Sequence, residues 1–195
     1  MSTKSIAQKV GPDANICQGD VFSDVSYNYL ESQNENSVEI IEFKFPMAVI
    51  ISQACDVNSM GEMVENKEGK STKFMPSILM CPVYDVKYAK ANNHVETVFT
   101  NLEIKNIDGK NDQLFSSKEF DVAKNDWHYR YHSLEVLIDS NTVLENAMID
   151  FKHYFTVPAS YLMKHRNNRL FHIQDLFAEQ ITLKFATYLS RVAIP

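Results

Sequence analysis

Long hydrophobic runs are missing from this chain of 195 residues. No stretch approaches the roughly 20 apolar residues that cross a bilayer, so no membrane partner is expected. The opening residues, MSTKSIAQK, lack the apolar segment of a secretory signal. Cysteine is scarce: Cys17, Cys55 and Cys81 are odd in number and widely spaced, which excludes a disulfide framework. A reducing cytoplasm is therefore the expected location. There is no C-x2-C pair, no HExxH, no Gly-rich phosphate loop and no Ser-His-Asp signature. A zinc site built from Cys55, Cys81 and a histidine would suit sulfur and imidazole chemistry. However, His128 and His132 fall in a strand-like segment, where four residues span roughly 14 Å, too far to share one ion. We expect neither a metal nor a cofactor.

What is present is core-forming material. The composition is 45% hydrophobic and 11% aromatic, enough for one packed domain and too much for wholesale disorder. The formal net charge of -6 hides an asymmetry. Residues 1–150 hold 13 Lys/Arg against 23 Asp/Glu, whereas 151–195 hold 6 against 2. Any nucleic-acid contact is expected on the basic C-terminal quarter. The competing explanation is that this quarter docks on the acidic remainder.

Along the chain, residues 1–15 are polar and aperiodic, with Gly11-Pro12, and read as a loose leader. Residues 16–195 read as a single domain. A first strand spans 16–27, entered through Gly19. "SVEIIEFKF" (37–45) nearly alternates, with a phase slip at Ile40-Ile41 that suggests a bulge. Pro46 stands at the start of the next strand, whose apolar run 47–51 suits burial on both faces. After a polar loop, 77–84 resumes the sheet. Residues 86–125 read as a helical insertion, and "WHYRYHSL" (127–134) as an aromatic strand. "NAMIDFKHYFTV" (146–157) alternates throughout, placing Ala147, Ile149, Phe151, His153 and Phe155 on one face. Asp175 is a plausible N-cap for a helix running to about 193. Its stripe is Phe177, Ile181, Phe185, Tyr188, Leu189 and Val192. The expectation is an α+β fold with barrel strands over 16–85 and 127–157 and a packed C-terminal helix over 175–193.

Three segments in order, "QGDVF" (18–22), "FPMAVIIS" (45–52) and "ILMCPVYD" (78–85), resemble the MazF/PemK-like family. That resemblance covers roughly 18–85 and implies a bent antiparallel SH3-like β-barrel of the toxin-ribonuclease type. It also implies an arginine beside the proline that handles the scissile phosphate, with a Ser/Thr partner. Here Phe45 stands at the arginine position and Ser52 at the Ser/Thr position. A second resemblance joins "ISQACD" (51–56) with "RYH" (130–132), as in uncharacterised bacterial proteins. It implies a bacterial stress or phage-defence setting.

The candidate catalytic set is Ser52, Cys55, Asp56, Arg130 and His132. If the strands converge, Cys55 is a nucleophile, His132 its base, Asp56 an orienting acid and Arg130 an anion clamp. The structural alternative makes Asp56 a turn cap, Cys55 a small hydrophobe and Arg130–Asp56 a strand clamp. The candidate nucleic-acid set is Lys164, Arg166 and Arg169, with Tyr161 and Phe171 for stacking. Its alternative is a solvated corner whose cations cover apolar neighbours. Three functions follow: a MazF/PemK-like module of a toxin or phage-defence system that binds or cleaves RNA, degenerate sites included; a non-catalytic subunit holding a protein partner or a second copy; and a thiol enzyme at Cys55. The sequence leaves open whether there is catalysis at all.

Overall fold

The structure, a computed structural model, describes residues 4–34, 37–58, 75–85, 128–139 and 141–191. The expected helical insertion at 86–125 and Trp127 lie outside the described residues. Among the described residues there are eight strands: β1 (Lys4–Gln8), β2 (Asp20–Asn34), β3 (Ser37–Ile50), β4 (Ser77–Asp85), β5 (Tyr131–Ile138), β6 (Asn141–Asp150), β7 (Phe155–Pro158) and β8 (Arg169–Ile173). Helices α1 (Ala54–Asn58), α2 (Ala159–Lys164) and α3 (Asp175–Leu189) accompany them. The strand order is β3-β2-β8-β1-β5-β6-β4-β7, and an additional β3–β4 pairing closes the first seven into a ring. Every pairing is antiparallel except β1 with β5. The fold is α+β and mostly antiparallel. Among the described residues no helix is long and apolar enough to cross a membrane.

Alternation along the strands divides the buried side chains into two cores. Val49, Cys81, Val83, Leu134, Ile149 and Ile173 face one of them, to which every strand of the ring contributes, and Ile181 and Phe185 of α3 pack against it. Ala48, Ile50, Met80 and Tyr84 face the other, covered by β7, α1 and α2. The run 47–51 is therefore buried on both faces, as its continuous apolar character requires.

Several elements differ from the sequence reading, each for a local reason. Residues 4–8 are not a loose leader. They form β1, inserted between β5 and β8, with Ala7 buried. Segment 37–51 is not two strands split at Pro46 but the single strand β3. The ladder tolerates the missing N–H because Asp24, opposite Pro46, adopts φ 50° and leaves the register. The slip expected at Ile40-Ile41 is present, with the extra residue on β2 between Leu30 and Ser32. The alternating run 146–157 is broken into β6 and β7, because Asp150 turns the chain by accepting the Lys152 N–H at 2.9 Å. In α3 the N-cap is Gln174, and Asp175 is the first helical residue. Leu189 is 53% exposed rather than part of the buried stripe.

Gly19 is the tightest point of this assembly. Its φ is 84°, its N–H donates to Ile50 O, and its carbonyl accepts from the Ile173 N–H, each at 3.0 Å. A Cβ there would lie 2.7 Å from the Ala178 Cβ and 2.8 Å from Ile173 O. Gly19→Ala is therefore expected to lose roughly 1–3 kcal/mol of stability, since it adds a clash to a left-handed conformation. Urea denaturation checks this, and an unchanged midpoint would overturn the account.

Candidate functional site

The mouth of β3 is held by polar bonds of a structural kind. The Ser52 hydroxyl is buried and accepts the Leu79 N–H at 2.8 Å, extending the β3–β4 ladder by one bond. Gln18 is buried beside it. Its amide donates to Thr182 Oγ1 at 2.6 Å and its carbonyl accepts the Ala54 N–H at 3.2 Å. These bonds tie the start of α1 to α3. Val57 is buried and anchors the single turn of α1, while Cys55 and Asp56 face solvent. Cys55 Sγ lies 3.8 Å from Gln53 Oε1 and 3.7 Å from Asp56 Oδ1.

The expected convergence on Arg130 and His132 does not occur. Arg130 is engaged by Asp150, bidentate at 2.8 and 2.7 Å, so the clamp is Arg130–Asp150 and not Arg130–Asp56. His132 is buried in β5. It lies in one row with Ile149, Val83 and Met47. Three strand spacings, roughly 14 Å along the sheet, separate it from Met47, and Cys55 lies beyond the end of β3. Cys81 is fully buried, and burial, helped by the Asp150 charge, pushes its thiol well above the ordinary range. Among the described residues no group of three His, Cys, Asp or Glu side chains could hold a metal ion.

The proposed basic strip is also reassigned. The Arg169 side chain is 1% exposed and bonds Asp20 at 2.9 Å, Asn15 O at 2.8 Å, Ala14 O at 2.9 Å and Gly11 O. It therefore pins the segment ahead of β2, and it cannot meet a phosphate. Phe171 is buried. The Tyr161 hydroxyl accepts the Ser26 N–H at 2.9 Å. Arg166 Nη2 contacts Met163 Sδ at 3.1 Å, and Lys164 remains exposed.

Asp20 is the hub of that corner. Besides Arg169 it accepts the Cys17 N–H at 2.9 Å and binds His172 Nδ1 at 2.9 Å. The other imidazole nitrogen lies 3.5 Å from Asp175. His172 borders an open depression lined also by Gln8, Gln174, Asp175 and Leu176. The Asp20 hydrogen bond lifts its pKa above the usual 6.5 against the opposing effect of burial, and Asp175 adds to the lift.

A different cluster has the chemistry of an interface. Asp150 is fully buried, and besides Arg130 it pairs with His153 at 2.8 Å. Burial alone would raise its pKa, but the bonds from Arg130 and His153 outweigh that and hold it well below the carboxylate range. Aromatic rings cover this pair. Arg130 lies 4.7 Å from the Tyr131 ring centroid, and Phe151 packs against Tyr188 at 6.2 Å. Tyr129 stacks parallel to Tyr188 at 6.3 Å, and the Arg191 guanidinium sits 3.4 Å from the Tyr129 ring centre. Tyr129 is 51% and Tyr154 46% exposed. Lys152 and Arg191 are exposed, with His128 and His153 half-buried nearby. Arg130 offsets Asp150, and Lys152 and Arg191 add two exposed cations to this aromatic surface. The aromatic character of 127–131 is visible in the sequence. The contributions of Asp150, Tyr188 and Arg191 are not, because each comes from a distant segment.

No protein-family model, curated protein or solved structure matches this chain. The fold is that of an α+β protein built on a closed ring of mostly antiparallel strands.

Two outcomes test these assignments. Asp150→Asn leaves the Arg130 charge mostly buried without its counter-ion, so a loss of about 3–5 kcal/mol is expected at neutral pH. The native carboxyl titrates below its usual 3.8. The wild-type advantage is thus complete above that pH and shrinks as pH falls below it, which acid-series denaturation measures. His172 has the opposite sign. Its stabilisation is complete below pH 6.5 and is lost as pH rises through the elevated native value. His172→Gln should flatten the melting temperature between pH 6 and 9 relative to wild type, and an unchanged slope would contradict the Asp20 pairing.

Proposed function

We propose that this chain is an SH3-like, MazF/PemK-type module of a bacterial toxin or phage-defence system that binds single-stranded RNA without cutting it. The three segments that resemble the family lie on β2, β3 and β4, which pair side by side through Val21, Val49 and Cys81. The position that the resemblance gives to the arginine belongs to Phe45, buried and stacked on Phe155 at 4.2 Å. Phosphoryl chemistry there would need a cation for the developing charge, and a phenyl ring supplies none. Binding is therefore the better reading.

The observation that carries it is the half-exposed stack in which Tyr129 lies against His128, Tyr188 and the exposed Arg191 guanidinium, on whose outer face a base would add. Rings and guanidinium planes of this kind take unpaired bases on their faces, and neighbouring cations follow the phosphates. The cytoplasmic location expected from the sequence belongs to the same reading. Exposed Cys55 supports no thiol enzyme, since Arg130 and His132 are both held elsewhere.

Fluorescence anisotropy with a labelled oligouridylate at low salt tests the proposal. Tyr129→Ala should weaken binding by roughly 5- to 150-fold, the value of one stacked base. Added salt should weaken it further. An absence of binding by the wild-type protein, or unchanged affinity in the variant, would overturn the reading.

A further inference from the structure

The aromatic rim does not end at Tyr129. Tyr188 stacks on Phe185 at 6.5 Å, and Phe185 meets the Tyr154 ring edge-to-face at 5.4 Å. With the Tyr129–Tyr188 stack this makes a row of four rings from three segments. Tyr129 stands ahead of β5, Tyr154 ahead of β7, and Phe185 and Tyr188 on α3. The middle of the row belongs to the protein, since Phe185 is 4% exposed and Tyr188 is half-buried. Its two ends are open, Tyr129 at 51% and Tyr154 at 46%.

A cation accompanies each open ring. Arg191 lies on Tyr129, and exposed Lys152 stands two residues before Tyr154. The buried Asp150 carboxylate fixes the chain leading to Tyr154. It accepts the Lys152 N–H at 2.9 Å and pairs with His153 at 2.8 Å. Phe185 then holds the Tyr154 ring itself. A tyrosine ordered in advance receives a base with little further loss of side-chain freedom.

Given RNA binding at Tyr129, on which this rests, we propose that Tyr154 is a second stacking position for an unpaired base. One strand is held at both ends of the row, and Lys152 takes a phosphate beside the second base. At most three ring contacts of 5.4 to 6.5 Å separate the two positions. That span lies within a strand of about four nucleotides, the lower end of the range for single-strand grooves.

Labelled oligouridylates of two and eight nucleotides test this by anisotropy at low salt. Tyr154→Ala is expected to weaken octamer binding by roughly 5- to 150-fold, the value of one stacked base. It should weaken the dinucleotide by no more than about twofold, since that ligand engages one ring at a time. Tyr154→Phe keeps the ring and should keep the octamer affinity. A wild-type protein that binds neither oligomer overturns both this proposal and the RNA reading. Octamer binding that depends on Tyr129 but not on Tyr154 overturns the second position alone. Equal weakening of both lengths does the same, because it marks a structural role for the ring. So does a Tyr154→Phe variant as weak as Tyr154→Ala.

Discussion

The buried carboxylate of Asp20 is the constraint on which the rest of the architecture depends. One oxygen takes the Arg169 guanidinium and the Cys17 N–H, and the other takes His172. Arg169 then gathers three backbone carbonyls between residues 11 and 15. This joins β2, β8 and the segment leading out of β1, while Gly19 next door allows α3 to approach. A buried ion pair adds little net stability over well-packed apolar residues, because desolvation offsets the attraction. What it supplies here is register. The short Asp20 side chain holds β8 and the leading segment at the same height, and β1, which leads into that segment, fills the ring between β5 and β8.

Much of the fold is legible in the sequence wherever local pattern governs it. The doubly buried run 47–51, the bulge near Ile40 and the terminal helix follow from periodicity, since that is how a strand or helix meets a core. The misreadings share one cause. Residues 4–8 show no apolar signal, because β1 is short and its place is set by its neighbours in the ring. Pro46 reads as the start of a new strand, but a positive φ at Asp24 on the opposite strand absorbs the defect and β3 runs through it. Asp150 looks like one polar residue in an alternating run, yet its carboxylate turns the chain, and nothing nearby in sequence announces that.

The candidate site was less legible, and for a sharper reason. Sequence reading identifies cations, but their meaning depends on their partners. Arg130 reads as an anion clamp or as the partner of Asp56, and its carboxylate is instead Asp150, 20 residues on. Arg169 looked like a phosphate contact, and its carboxylate lies 149 residues away. Both are therefore structural charges in different degrees. Arg169 is enclosed, whereas Arg130 sits beneath a rim of rings that reaches the solvent. Adjacent residues such as Tyr129 and Arg130 show half of that rim. The other half, Tyr188 and Arg191, arrives with a helix whose end could not be placed beside them without the fold.

The net charge of -6 then has a different meaning from a uniformly acidic surface. Asp20 and Asp150 are each paired with an arginine, so these pairs cancel in the balance and contribute little field outside. Among the described residues, the exposed cations Lys152 and Arg191 stand beside the aromatic rim. Screening limits their field to about 8–10 Å at physiological salt. Under the proposed reading, an anionic ligand would be drawn to the cations beside Tyr129. Phe45 itself is buried against Phe155 and adds no charge to any of these surfaces.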